Sequence, residues 1–230
     1  MAASITYPNI SEGIFIRRPN RFIAEVEINN RVEICHVKNT GRCKELLVTG
    51  ARVYVNQSDN NKRSTKYDLI SVWKGSRLIN MDSQAPNLVF MEFLRQDSFV
   101  EGITLIKPEA KFGGSRFDFY VEAGIRKIFI EVKGVTLEEN NVAMFPDAPT
   151  ERGVKHLNEL ANCVTEGYEA CVVFVVQMQD VDYFIPNHKT YPEFGGTLAA
   201  VMTAGVGVMA FDCIITESTM EINGSIPIKI

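Results

Sequence analysis

The segment Ser115–Lys133 contains two carboxylates and a lysine at a spacing that suits metal-dependent chemistry. The residues are Asp118, Glu131 and Lys133, in the pattern Asp-x₁₂-Glu-x-Lys. Carboxylate oxygens are the ligands that Mg²⁺ prefers, and a neighbouring lysine can move a proton or neutralise charge on a phosphate. This chemistry requires the fold to bring Asp118 and Glu131 together.

A β-hairpin would do so. If Ala123–Arg126 is a four-residue loop, Asp118 lies directly opposite Glu131, and Lys133 follows on the same side. The other face then collects three apolar pairs, which are Phe117 with Val132, Phe119 with Ile130, and Val121 with Ile128. Cβ atoms in such pairs are about 5 Å apart, so the two carboxylates repel each other unless a cation lies between them. The hairpin therefore predicts a divalent metal site.

A surface hairpin is the alternative, with Asp118 and Glu131 in water and Lys133 screening them. The segments that follow favour a position inside the sheet. They are a helix from Thr150 to Glu166 and an apolar strand, Tyr168–Gln177, which is buried on both faces. A hairpin beside such a strand has less solvated surface, which favours the metal site.

The first third of the chain predicts a small β-barrel. Asn29-Asn30 marks a hairpin, since Asn tolerates the positive φ that tight turns need, and Thr40–Leu47 predicts a turn or short helix. The predicted strands are Arg21–Ile28, Arg31–Val37, Ala51–Asn56, Tyr67–Lys74 and Leu78–Met81. Five short strands suit a barrel of the oligonucleotide/oligosaccharide-binding (OB) type, although the pattern alone also allows a sandwich.

From residue 83 the pattern changes to a mixed α/β domain. A helix opens at Pro86, and Pro192–Ala204 predicts another. The predicted strands are Gly102–Ile106, Ser115–Glu122, Lys127–Lys133, Tyr168–Gln177 and Gly207–Ile215, with a closing hairpin over Met220–Ile228 around Asn223-Gly224. We therefore expect two domains, an OB-type barrel at 1–82 and a mixed-sheet α/β domain at 83–230.

The acid–acid–lysine hairpin, preceded by an acid-bearing helix and followed by a polar-faced helix, resembles the PD-(D/E)xK nuclease fold. Four separated segments are similar to the sugar fermentation stimulation protein A (SfsA) family: Lys38–Arg42, Ser115–Asp118, Glu131–Leu137 and Phe145–Leu157. The resemblance covers nearly the whole chain. It implies an OB-type barrel followed by a nuclease-like domain, non-specific DNA binding, and a regulatory role in maltose metabolism. Lys38 departs from the family, which usually has Pro before Asn-Thr-Gly.

The same resemblance implies a site. Asp118 and Glu131 would hold Mg²⁺ or Mn²⁺ with the carbonyl of Val132, and Lys133 would act on water or phosphate. Glu92 on the first helix resembles the additional acid of the nuclease fold, and Glu109 lies in a Glu-x-Lys-x-Gly run; either completes the site or is a solvated carboxylate.

The distribution of charge favours a polyanionic partner for the N-terminal third. Residues 1–80 carry 13 Lys and Arg against 7 Asp and Glu, whereas residues 81–230 carry 11 against 21. The candidate phosphate contacts are Arg17, Arg18, Arg21, Lys38, Arg42 and Lys44 in the barrel, with Arg116, Arg152, Lys155 and His156 near the hairpin.

In the predicted helix Arg152, Lys155, His156 and Glu159 share a face opposite Leu157, Leu160, Ala161 and Val164. The aromatic residues Phe15, Phe22 and Tyr54 are either stacking faces or barrel core.

Composition excludes several classes of protein. With 46% hydrophobic residues the chain is not disordered or fibrous. The five cysteines form no Cys-x-x-Cys pair and the N-terminus does not look like a signal peptide, so we expect a cytoplasmic protein. The apolar stretches are too short or too broken to cross a bilayer. Three functions remain open: a DNA-binding module, an Mg²⁺-dependent endonuclease or phosphodiesterase, and a regulator with a sugar effector.

Overall fold

The computed structural model describes residues 3–39, 41–60 and 62–230. Its strands are β1 (Ser4–Thr6), β2 (Ile10–Asn20), β3 (Ile23–Ile28), β4 (Arg31–Val37), β5 (Arg52–Gln57), β6 (Tyr67–Lys74), β7 (Arg77–Asn80), β8 (Ile103–Phe112), β9 (Ser115–Ala123), β10 (Arg126–Val135), β11 (Leu137–Glu139), β12 (Val142–Phe145), β13 (Glu169–Val176), β14 (Tyr183–Pro186), β15 (Gly207–Ile215) and β16 (Thr219–Ser225). The helices are α1 (Ala85–Arg95), α2 (Glu151–Thr165) and α3 (Pro192–Thr203). None of the described helices combines the length and the apolar character that crossing a bilayer requires.

The N-terminal part is a closed barrel, as predicted. Its strands follow the order β4-β3-β2-β5-β6, pairing between β4 and β6 closes the barrel, and β7 extends the sheet beyond β6. The long strand β2 was not expected, because Gly13 and several charged residues interrupt its apolar pattern. Gly13 is required there, since a Cβ atom would lie 2.5 Å from Cγ1 of Val26 and 2.9 Å from the carbonyl oxygen of Glu27.

The second part is the expected mixed α/β domain, although it also includes β1 (Ser4–Thr6) from the segment 1–82 that was assigned to the barrel. Its main sheet has the order β1-β16-β15-β13-β10-β9-β8, with β10, β13 and β15 parallel to one another. One face packs against α1 through Phe90 and Leu94, and the other face packs against α2 and α3 through Leu157 and Leu198. The β9–β10 hairpin therefore lies inside the sheet, between β8 and β13.

The end of the chain differs from its prediction. Asn223 and Gly224 do not turn the chain but lie within β16, which pairs with β15 and β1. The buried carboxylate of Asp212 accepts hydrogen bonds from the Asn223 side chain and from the Gly224 main-chain N–H, where the β15–β16 register shifts. An Asn-Gly pair that usually marks a turn is thus held in a strand by a buried acceptor.

Candidate metal centre

The hairpin that carries the candidate acids has the predicted register. Main-chain pairing between β9 and β10 runs from Ala123 with Arg126 to Phe119 with Ile130. The loop is shorter than the expected four residues, because Ala123 and Arg126 pair and only two residues form the turn. Gly124 supplies the positive φ of +60° that this tight turn needs.

The ladder stops one residue before the candidate acids. The next main-chain N–H, that of Val132, donates to Oδ2 of Asp118 at 2.7 Å. Beyond this point β9 turns its faces over, so that Phe117 packs with Phe129 on the α2 side, whereas Phe119 and Val132 pack on the α1 side. The expected Phe117–Val132 pair is therefore wrong: the β9–β10 ladder has ended, and the Val132 N–H donates to the side chain of Asp118.

Asp118 lies between the sheet and the first turn of α1. Its second oxygen, Oδ1, accepts a hydrogen bond of 2.7 Å from the side-chain amide of Asn87. Burial raises the pKa of Asp118 to about 6, and the negative charge of Glu131 adds to the rise. A carboxylate with a raised pKa beside a second acid is a group whose charged form needs a cation.

Glu131 is only 3% exposed. Its Oε1 atom accepts hydrogen bonds from Nζ of Lys133, at 2.5 Å, and from Nδ1 of His156. Although burial alone would raise the pKa of Glu131, the bonds from His156 and Lys133 hold it below its usual value. The other oxygen, Oε2, is buried and has no hydrogen-bond partner among the described residues. Such an orphaned acceptor is costly, so it calls for a ligand that donates positive charge.

His156 is not where the helical pattern placed it. The pattern predicts His156 on the polar face of α2, either solvated or beside the metal site as a phosphate contact. It lies beside the candidate site, but it is 5% exposed and on the buried face with Leu157, so it contacts Glu131 and is not available to a phosphate. Nε of Arg152 lies 3.4 Å from Nε2 of His156, which leaves Nδ1 to carry the proton that Glu131 accepts. Arg152 and His156 thus orient Glu131 from one side, as Asn87 orients Asp118 from the other.

The two further candidate acids lie in a cleft beside Asp118, and each is paired with an arginine. Glu92 and Glu109 line a cleft of about 580 Å³ together with Asp118. Glu92 forms an ion pair with Arg95, and Glu109 forms one with Arg116 at 3.4 Å. The part of the chain that the structure describes holds no cluster of three or more His, Cys, Asp and Glu side chains arranged to hold a metal ion.

The candidate DNA contacts fall into groups with different partners. Three barrel cations are already engaged: Arg17 pairs with Glu25, Lys38 with Asp82, and Arg18 with main-chain carbonyls. Arg21, Arg42 and Lys44 instead line one cavity of the barrel surface. Near the hairpin, Arg116 contacts Glu109, and Nζ of Lys155 donates to the carbonyl of Gly114.

Asn87 was missed because the sequence reasoning looked only for acids on α1. Asparagine is a weak helix former, and this residue lies in the first turn directly after Pro86, where a polar side chain with a specific partner is a reasonable expectation. That signal, read together with an acid-bearing hairpin next to the helix, could have singled it out.

Comparison with known proteins gives the family. Residues 16–81 match the model of the SfsA N-terminal OB domain, and residues 84–219 match that of the sugar fermentation stimulation protein RE domain. A sugar fermentation stimulation protein homolog from Ruminiclostridium cellulolyticum is 58% identical over 97% of this chain and 99% of its own, and one from Clostridium botulinum is 47% identical over 96% and 98%. The structure of Pyrococcus furiosus SfsA in complex with Ca²⁺ superposes over all of both chains with a TM-score of 0.91 at 29% identity. On two domain models and these full-length relatives, the chain belongs to the sugar fermentation stimulation protein family.

Proposed function

We propose that this protein binds DNA and holds one divalent cation, Mg²⁺ or Mn²⁺, at a nuclease-type site formed by Asp118 and Glu131. The observation that carries the proposal is the orphaned Oε2 atom of Glu131, which is buried near the half-buried carboxylate of Asp118, whose pKa is raised. Two like charges in a desolvated place are stabilised by a cation between them.

The donor set fits such an ion. Asp118, Glu131 and the main-chain carbonyl of Val132 would supply the oxygen ligands, whereas Glu92 and Glu109 line the cleft beside Asp118. Mg²⁺ keeps several of its water ligands, so two or three protein oxygens are a sufficient set. The Ca²⁺ ion bound by the Pyrococcus furiosus relative supports a hard, oxygen-liganded cation in this family.

The side chains around the acids support phosphodiester chemistry. A bound divalent ion would supply positive charge to a phosphoryl group. Lys133 carries an ammonium group that is held by Glu131 and still partly exposed, so it can neutralise charge on a phosphate or orient a water molecule by donating a hydrogen bond to it. His156 and Asn87 hold the two carboxylates in place, which keeps the site ordered before substrate arrives.

DNA is the polyanion that we propose as partner, with binding governed by phosphate contacts rather than by base sequence. The barrel carries the basic excess of residues 1–80, and exposed cations occur on it and at the start of α2. The name of the relatives links them with sugar fermentation, and we extend that link to this chain as DNA binding that acts on sugar metabolism. A sugar effector remains the alternative, which maltose would reveal by changing the affinity for DNA.

Cleavage of DNA distinguishes an enzyme from a binding module. Supercoiled, linear duplex and single-stranded DNA are incubated with wild-type protein and Mg²⁺ or Mn²⁺. We expect wild type to cleave at least one form, and Glu131→Gln and Lys133→Met to lose cleavage. Lys127→Met, which removes an exposed lysine from the same strand, is the matched control.

DNA binding without cleavage by the wild type would restrict the function to a binding module. Cleavage that survives in Glu131→Gln would contradict the assigned site. Absence of binding to every form of DNA would contradict the whole proposal.

A further inference from the structure

A cavity of about 440 Å³ on the barrel surface is lined by four cationic residues and by no acidic one. Arg18, Arg21, Arg42 and Lys44 contribute to its walls, together with Asn20 and Leu47. Neither Arg42 nor Lys44 has an acidic partner among the described residues, and both are exposed. Unpaired cations gathered around a concave surface of this size favour an anionic ligand.

Arg18 holds the two walls of this cavity together. One of its terminal nitrogens donates to the carbonyls of Gly41 and Arg42, at 2.8 and 2.9 Å. The other donates to the carbonyls of Arg21 and Asn39, both at 2.7 Å. One guanidinium therefore joins the β2–β3 turn to the loop that precedes Cys43. The carbonyls of Arg21 and Arg42, two of the residues that line the cavity, are thus held by Arg18 before a ligand binds.

An exposed aromatic ring contacts Arg21, which lines the cavity. The guanidinium of Arg21 lies over the ring of Phe22, 4.8 Å from its centroid. Of the three barrel aromatics that the sequence offered as stacking faces, Phe15 and Tyr54 are 2% and 3% exposed, whereas Phe22 is 44% exposed. A flat guanidinium and an exposed ring beside unpaired cations form a platform on which an unpaired base can stack while its phosphate meets the cations.

We propose that this cavity binds single-stranded DNA, with phosphates held by Arg42 and Lys44 and a base stacked at Arg21 and Phe22. The proposal rests on the DNA binding proposed above and specifies where the barrel contributes and which form of DNA it takes. Duplex DNA keeps its bases stacked inside, so it can use the cations but not the ring. A preference for single strands follows.

Fluorescence anisotropy in EDTA tests the cavity without the metal site. The probe is labelled oligothymidylate of about 20 nucleotides, longer than the roughly 4–16 nucleotides that one OB fold covers. Arg42→Gln/Lys44→Gln removes two unpaired cations, and we expect the affinity to fall about tenfold and the salt slope to flatten by about 1.4. The charge-matched control, Arg31→Gln/Lys62→Gln, removes two exposed cations outside the cavity and should change both quantities little.

The ring is tested separately. Phe22→Leu should weaken binding of the single strand by at least about fivefold, and Phe22→Tyr, which keeps the ring, should restore it. An unlabelled duplex of the same length should compete less well than the single strand. Circular dichroism verifies that each variant folds.

The outcomes separate this inference from the proposed function. If wild type binds DNA but the cavity variants bind it with the same affinity, the inference is wrong and DNA binds elsewhere on the protein. The inference is also wrong if the duplex competes better than the single strand. If wild type binds neither the single strand nor the duplex, both the inference and the proposed DNA binding are wrong.

Discussion

His156 on α2 donates from Nδ1 to Oε1 of Glu131 on β10, where both side chains are buried. With Lys133 bonded to the same oxygen, the carboxylate is fixed and its other oxygen, Oε2, is left without a donor among the described residues. The contact joins the helix to the strand that carries the candidate site. It therefore makes His156 a positioning residue for Glu131, the proposed metal ligand.

The first prediction concerns this contact. His156→Leu replaces the hydrogen-bond donor with an apolar side chain of similar size, so Glu131 should lose its fixed orientation. We expect the affinity for Mn²⁺ to fall by about 10- to 100-fold, as is typical when a group behind a metal ligand is removed. His156→Asn, whose amide can replace the Nδ1 donor, should recover part of it. Calorimetric titration with Mn²⁺ measures both variants.

Equal metal affinities in His156→Leu and wild type would show that His156 only fills space. Because the asparagine variant is smaller and more polar than leucine, recovery in it cannot come from packing.

The second prediction concerns pH. The pKa of Asp118 is raised from its usual value of 3.8 to about 6, so the charged form is disfavoured in the folded protein. In EDTA the contribution of Asp118 to stability is therefore greatest below about pH 4 and is lost as the pH rises through about 6, by up to about 3 kcal/mol. Asp118→Asn removes this loss. Its free energy of unfolding, relative to wild type, should rise between pH 4 and pH 7.

Urea denaturation at both pH values measures this difference, and saturating Mn²⁺ should reverse its sign at pH 7, because only wild type then gains binding energy. Glu122→Gln on the same strand is the control. A free energy difference between Asp118→Asn and wild type that does not change with pH would contradict a raised pKa.

The third prediction concerns the backbone next to Lys133. A Cβ atom at Gly134 would lie 2.7 Å from both Oε1 of Gln177 and Cγ of Pro86. Gly134→Ala should therefore cost about 1–3 kcal/mol of stability through overpacking. Gly196→Ala, where no atom lies within 4 Å, should be neutral or stabilise α3. Thermal unfolding of both variants gives the comparison; equal melting temperatures would contradict the close packing at Gly134.

The fourth prediction concerns the outer acids. Glu92 and Glu109 are paired with arginines and partly exposed, so each alone should matter less to metal binding than Asp118 or Glu131. We expect Glu92→Gln and Glu109→Gln to change the affinity for Mn²⁺ by no more than about threefold, in keeping with the small energies of exposed charges. A loss as large as that of Glu131→Gln in either variant would identify the missing third carboxylate.

The hairpin at the centre of the site was predictable because two periodicities agreed. Alternation along β9 and β10 and a short Gly-containing turn fix the register from Phe119 to Val121 and beyond. The position of Phe117 and Phe119 on opposite sides of the sheet was not predictable. It accompanies a hydrogen bond from the Val132 N–H to the side chain of Asp118 in place of a main-chain acceptor. Alternation of apolar and polar residues predicts the register of two strands, but it does not predict whether an N–H group donates to a main-chain or to a side-chain acceptor.

Other errors have similar physical causes. The Asn140-Asn141 turn between β11 and β12 carries the same signal as Asn29-Asn30, with φ values of +53° and +64°, and could have been read as a hairpin. The burial of His156 could not, because it accompanies a hydrogen bond with Glu131, a partner 25 residues away in sequence. A helical wheel treats such a histidine as polar surface.

The proposed function requires a divalent cation between Asp118 and Glu131. Isothermal titration calorimetry with Mn²⁺ and with Mg²⁺ measures whether it binds. Wild type should bind one ion, Asp118→Asn and Glu131→Gln should lose that binding while remaining folded, and Glu122→Gln should bind like wild type. If wild type binds neither Mn²⁺ nor Mg²⁺, or if both Asp118→Asn and Glu131→Gln bind the ion as wild type does, there is no cation site between Asp118 and Glu131.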